Sequence, residues 1–409
     1  MNAGNTAWVL MSAALVMLMT PALGFFYGGL VQRKNVLSTI MHSFFILALI
    51  SVQWVLWGYS LAFGPSQGGI IGGLDWLGLR GVTGEPGPYT EAVGVPHLAF
   101  MIFQMMFAVI TPALITGAFA ERKRFKAFVV FSLLWATLVY APVAHWVWNL
   151  EGWLYEYGAL DFAGGTVVHI TSGVTALIAA SMLGRRIGFG KEPLEPHNLT
   201  YTVLGAGLLW FGWFGFNAGS ALAADGRAAY AFVVTNTAAA MGALTWMTVS
   251  WLRHGQPSVL GAAAGAVAGL VAITPASGFV DAQAAILIGL GAGAFCFFAV
   301  DLLKKVIKVD DALDVFAVHG VGGIWGALAT GLFARASVSG VEGLDGLFYG
   351  NPEQLLKQAV AVGVVLAYAG IVSWVILKAI DLVMGLRVPE QEEVLGLDTT
   401  THGELAYQL

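Results

Sequence analysis

The chain reads as an all-α polytopic membrane protein of eleven transmembrane helices. Three observations carry this. Of its 409 residues 58% are hydrophobic and only 11% charged, against about 25% charged in soluble domains. Long stretches free of Asp, Glu, Lys and Arg recur along its whole length. The few basic residues fall into two unequal sets. A small net charge of −5 gives no reason to expect a nucleic-acid partner. The single cysteine, Cys296, excludes an intrachain disulfide and reads as packing. The first residues, "MNAGNTAWVL", show neither a basic n-region nor a cleavage site. Either a signal preceded this numbering or the first helix inserts itself.

A span needs about 20 apolar residues. Runs of that kind lie near 6–31, 36–63, 98–120, 127–148, 162–184, 199–224, 228–252, 258–280, 282–300, 315–334 and 358–377. Strands of a barrel would instead be short and alternating. Fifteen of the 19 basic residues fall in one set of connections and the tail, from Arg33 and Lys34 to Lys378 and Arg387. Only Arg80, Arg227, Arg335 and Lys357 fall in the other. The rule that basic loops stay inside places the N-terminus outside and the C-terminus in the cytoplasm. Helices 1–5 and 6–10 form two halves, and an odd count per half makes the second an inverted repeat of the first. Residues 1–384 are then the membrane domain and 385–409 a cytoplasmic tail.

Two stretches raise the functional question. In "DFAGGTVVHI" Asp161 precedes His169 by eight residues, and in "DDALDVFAVHG" Asp311 precedes His319 by eight. Eight residues of helix rise about 12 Å, in an apolar core about 30 Å thick. Entering from opposite faces, the two histidines reach the mid-plane, where their rings can lie side by side. Ionisable groups at that depth are costly and usually line a pathway. No third ligand is tied to their depth, so a zinc site is not expected. His42 and His145 are unpaired within spans and read as packing.

Toward the outside, Phe103 and Phe107 share one helix face, the fourth helix ends with Trp146 and Trp148, and the sixth carries Trp213, Phe216 and Ser220. Aromatic rings with one hydroxyl acceptor suit a small cation. Trp146 and Trp153 fit an aromatic belt at headgroup level; Phe103, Phe107 and Phe216 do not, because Phe is not the usual belt residue. Asp161 is expected to cap its helix through backbone N–H groups and to support the cation site by its charge. The tail is acidic but carries Leu386, Val388, Val394, Leu395 and Leu397. It is expected to fold on the cytoplasmic loops, with Arg122, Lys123, Arg124, Arg185, Arg186 and Lys191 supplying opposite charge.

"DFAGGTVVHI", "GFGKEPLEPHNL", "GWFGFNAGS", "DDALDVFAVHGVGGI" and "GLRVPEQEEVLGLDTTTHGELAY" together resemble the Amt/Rh ammonium transporters, and the Amt branch of bacterial or archaeal type. The resemblance runs through essentially the whole chain. It implies a recruitment site of Phe103, Phe107, Trp148 and Ser220, a gate of Phe107 over Phe216, and a pore with the twin histidines His169 and His319. Asp161 supports the site. It further implies a homotrimer in the cell's inner membrane, ammonium and methylammonium as substrates, no cofactor, and a tail where a PII-type signal protein docks. A transporter rather than an enzyme is expected: no activated nucleophile lies near the histidines. Deprotonation of the cation, passage of ammonia and proton relay through the histidines is the favoured mechanism. An electroneutral ammonia channel and a sensor signalling through its tail are the alternatives.

Overall fold

A computed structural model describes residues 1–407. The molecule is a helical bundle. Among the described residues, ten helices are long and apolar enough to cross a membrane: Ala3–Leu30, Arg33–Phe63, His97–Phe119, Phe125–Tyr157, Gly165–Leu183, Leu199–Ala221, Gly226–His254, Ala282–Ile307, Phe316–Phe333 and Pro352–Met384. The stretch 258–280, expected as a full span, instead forms the 15-residue helix Val259–Ile273, about 22 Å long, followed by a turn.

That turn is buried and braces its neighbours. The Pro275 carbonyl accepts from the Phe162 N–H at 3.1 Å, the Thr274 hydroxyl accepts from the Trp213 indole at 2.9 Å, and the Gly278 carbonyl accepts from Arg227 at 3.1 Å. Non-helical backbone at this depth is tolerable only where protein satisfies its polar groups, and here the neighbours do so.

Small residues set how closely the central helices approach. A Cβ on Gly173 would collide with the Gly320 nitrogen, and one on Gly323 would sit 3.0 Å from the His169 Cβ. As numbering rises along one helix it falls along the other, so the two histidine helices cross in opposite senses. Each opens with a π-helical turn around its histidine, Gly165–Ile170 and Phe316–Gly320. Such turns widen the helix and redirect its side chains.

Two sequence readings need correction. Trp146 is buried, not set in an outward belt. It packs on Trp153 and Tyr368, and its indole donates to the Ile70 carbonyl at 2.7 Å, because the 64–96 connection folds over it. The last long helix ends at Met384 on a left-handed Gly385, and the tail beyond it folds back onto the loops, but not through the expected charges. Among the described residues the only ion pair of a tail carboxylate is Glu393 with the tail's own Arg387, at 2.7 Å. The loop cations are already engaged. Arg186 pairs with Glu121 and Asp310 at 2.6 and 2.8 Å, Arg122 donates to four carbonyls, and Lys123 is buried against rings.

The tail holds by backbone groups instead. Arg124 donates to the Met384 and Arg387 carbonyls, and Lys34 to that of Val394. Asp398 takes the Leu37 and Ser38 N–H groups at 3.0 and 2.8 Å, capping the second helix. Leu386, Val388 and Leu397 are buried anchors, whereas Val394 and Leu395 face outward.

Candidate functional site

The fold collects the aromatic and histidine residues into one column. At its top is a cavity of about 160 Å³ whose wall includes Phe107, Trp148, Ser220 and Gln104. Ser220 donates its hydroxyl proton to the Phe216 carbonyl at 2.8 Å, leaving its oxygen lone pairs free to accept. Trp148 gives its indole N–H to the Asp161 carbonyl at 3.0 Å, so only its ring is left for a ligand. Its centroid lies 5.7 Å from that of Phe107, nearly perpendicular. Phe103 is not on the wall: it is fully buried and packs edge-on behind Phe107 at 5.0 Å.

Below, Phe107 and Phe216 approach to 4.4 Å between centroids. Phe216 is 6.0 Å from the His169 ring, which also stacks on Trp213 at 5.6 Å. The His169 and His319 rings lie 5.3 Å apart and nearly parallel, with Nδ1 atoms 3.2 Å from each other. Both residues are buried. From the other side, a cavity of about 270 Å³ lined by Tyr27, Trp246, Phe297 and Asp314 reaches His319.

Asp161 does not line the upper cavity. Its Oδ1 accepts the N–H groups of Gly164 and Gly165, each at 2.7 Å. Its Oδ2 accepts those of Thr166 and Val167 at 2.7 and 3.2 Å, and the Thr166 hydroxyl. The chain reaches this geometry through Gly164 at φ +123°, a region open to glycine. Burial pushes the Asp161 carboxyl up from its ordinary value, and the bonds from Thr166, Gly164 and Gly165 oppose that rise. One residue thus ties the start of the His169 helix, by its carboxylate, to the cavity wall, by its carbonyl.

A shared Nδ1–H···Nδ1 bond gives the histidine pair a direction. Two neutral rings carry two protons. The donor ring then has a bare Nε2, and the acceptor ring holds its own proton on Nε2. His169 Nε2 has no partner among the described residues. The pair can take a proton at one end and release one at the other.

Residues 7–407 match the profile of the Ammonium Transporter Family. The chain belongs to the ammonium transporter family. It is 56% identical to an ammonium transporter of Bacillus subtilis over 408 residues, covering 100% of this chain and 99% of that one. It is 50% identical to the ammonium transporter Amt1 of Archaeoglobus fulgidus, with both chains covered in full. The crystal structure of Candida albicans Mep2 superposes with a TM-score of 0.90 at 39% identity, covering 96% of this chain and 88% of that one. The structure of a Sensor Amt Protein superposes with a TM-score of 0.90 at 32% identity, covering 97% of this chain and 98% of that one.

Sequence reasoning missed Gln104 in the cavity wall and Thr274 behind Trp213. Gln104 stands inside "FQMMF", one turn before Phe107. A polar amide on an aromatic helix face was the available signal.

Proposed function

We propose that this chain is an ammonium transporter of the inner membrane. In this reading its eleven helices run with the N-terminus outside, and residues 385–409 form a cytoplasmic regulatory tail. The cation is recruited between Phe107, Trp148 and Ser220, with Phe103 backing the ring of Phe107, and Asp161 supplying support and negative charge. Cation–π attraction contributes about 0.5–2 kcal/mol per ring. Carrying a bare cation onward would cost on the order of tens of kcal/mol, which those rings cannot offset. The cation therefore gives up its proton at the Phe107–Phe216 gate. Ammonia crosses the apolar gap, and His169 and His319 relay the proton. Potassium has no proton to give and stops at the gate.

The observation that carries this reading is the unbroken column Phe107, Phe216, His169, His319, ending in two Nδ1 atoms 3.2 Å apart. Homotrimer assembly and docking of a PII-type protein on the tail belong to the same proposal, as implied by the family. The test is an ammonium-evoked current from the reconstituted protein on a solid-supported membrane, with potassium as control. Ammonium is expected to give a current and potassium none, and His169→Ala to abolish it. An unchanged current in a correctly assembled His169→Ala protein rules out the relay. Ammonium uptake by the wild type without current supports an electroneutral channel instead.

A further inference from the structure

The recruitment cavity holds one polar group without a role. Gln104 forms part of the wall, on the same helix face as Phe100 and Phe107, which also line it. Its Oε1 is buried and has no hydrogen-bond partner among the described residues. A buried acceptor left unpaired is destabilising and calls for a reason.

The geometry of the ligand supplies one. Ammonium carries four N–H groups in a tetrahedral arrangement. In the recruitment reading the rings of Phe107 and Trp148 take two, since the Trp148 N–H is spent on the Asp161 carbonyl. The Ser220 oxygen, its own proton given to Phe216, receives a third. Around the rest of the wall Phe100, Phe162, Leu150 and Leu222 are apolar; Tyr89, its hydroxyl proton given to the Phe63 carbonyl, keeps a phenol oxygen, a weaker acceptor than an amide carbonyl.

We propose that the Gln104 side chain, by rotating its amide, presents its carbonyl to accept the fourth N–H of the recruited cation, and so makes the site prefer ammonium to methylammonium. The inference rests on the recruitment reading above. Methylammonium has only three N–H groups and must turn its methyl toward one acceptor, leaving that acceptor unpaired. A neutral carbonyl suits this task. It bonds the cation without the net charge of a carboxylate, which would hold the ion back from the gate. With leucine at this position the fourth wall becomes apolar. The methyl of methylammonium then rests there without loss, while ammonium is left with an N–H facing hydrocarbon.

The test compares the wild-type chain, Gln104→Leu and Gln104→Glu, each reconstituted in vesicles, by the concentration dependence of ammonium and methylammonium uptake. Gln104→Leu is expected to raise half-saturation for ammonium about tenfold, the size of one charge-assisted hydrogen bond. Half-saturation for methylammonium should rise clearly less, and the maximal rate should fall by a smaller factor than half-saturation rises. Gln104→Glu is expected to lower half-saturation and slow the maximal rate. A merely structural role would shift both substrates alike. Equal shifts, or none, with saturable wild-type uptake overturn the role of Gln104 alone. No saturable ammonium uptake by the wild type overturns the recruitment reading with it.

Discussion

Asp161 and Asp311 stand eight residues before His169 and His319, in helices that cross in opposite senses, yet their surroundings differ. Asp161 collects four backbone N–H groups and a hydroxyl. Asp311 accepts from the Phe316 N–H at 2.7 Å on one oxygen, and its Oδ1 has no partner among the described residues. Its neighbours take up the ion pairing instead: Asp310 with Arg186 and Asp314 with Lys304. Equal sequence spacing has thus produced a rigid brace at one end. At the other it has produced a buried carboxyl at the centre of a charged loop network. Burial and the Asp314 carboxylate push the Asp311 carboxyl up to about 6.

The largest effect should come from breaking the brace. Asp161→Ala leaves four backbone N–H groups without their acceptor, each costing about 1–3 kcal/mol when buried. Asp161→Asn replaces one oxygen by an NH₂ that cannot accept from Thr166 and Val167. Both are expected to lose ammonium uptake and to lower the thermal midpoint of the purified protein by many degrees. Asp311→Asn removes a buried charge with one partnered oxygen, and should keep or raise the midpoint near neutral pH. A fall as large as that of Asp161→Asn would erase the contrast.

The same contrast predicts a pH signature. The folded Asp311 carboxyl binds its proton more tightly than an ordinary carboxyl at 3.8. Between about pH 4 and pH 6 the folded state therefore holds more protons than the unfolded one, and stability contributed here falls as pH rises through that window. A midpoint series across it should flatten in Asp311→Asn.

Lys123 gives a further, opposite slope. Its ammonium lies 4.2 and 4.4 Å from the Phe119 and Phe131 ring centres, without a hydrogen-bond partner among the described residues. Burial lowers it from 10.5 to about 7. Between those values the unfolded state binds more protons, so stability should rise with pH from about 7 upward. Lys123→Met is expected to remove that slope and raise the midpoint at neutral pH.

The smallest effect belongs to the tail. Asp398→Ala should cost about 1 kcal/mol, the usual worth of a helix cap, read as a small midpoint shift. The same variant should weaken retention of a PII-type protein, if the docked tail is the surface it recognises. Retention equal to wild type by a demonstrably undocked tail would set that role aside.

Much of this molecule is legible in its residues alone. Hydropathy and basic-residue asymmetry are summed over many residues, so they survive ignorance of packing. The helical membrane class follows from them, and the family follows from the motifs around the two histidines and in the tail. The spacing of Asp161 to His169 and of Asp311 to His319 is plain in the sequence. The short helix Val259–Ile273 is not: apolarity continues through Thr274–Val280, where bonds with Phe162, Trp213, Arg227 and the Arg335 N–H make a buried turn tolerable. Tail docking was expected, but opposite charge was the wrong reason, because composition does not reveal which cations are already paired.

Local composition and period thus settle which segments are apolar helices, and how deep along them His169 and His319 lie. Which side chains meet depends on how those helices pack. Packing set His169 Nδ1 against His319 Nδ1, seated the Trp213 indole on the Thr274 hydroxyl, and brought Gln104 into one cavity wall with Trp148 and Ser220. Each of these depends on distances of a few ångströms between segments up to 150 residues apart, and a hydrogen bond is won or lost within a fraction of an ångström.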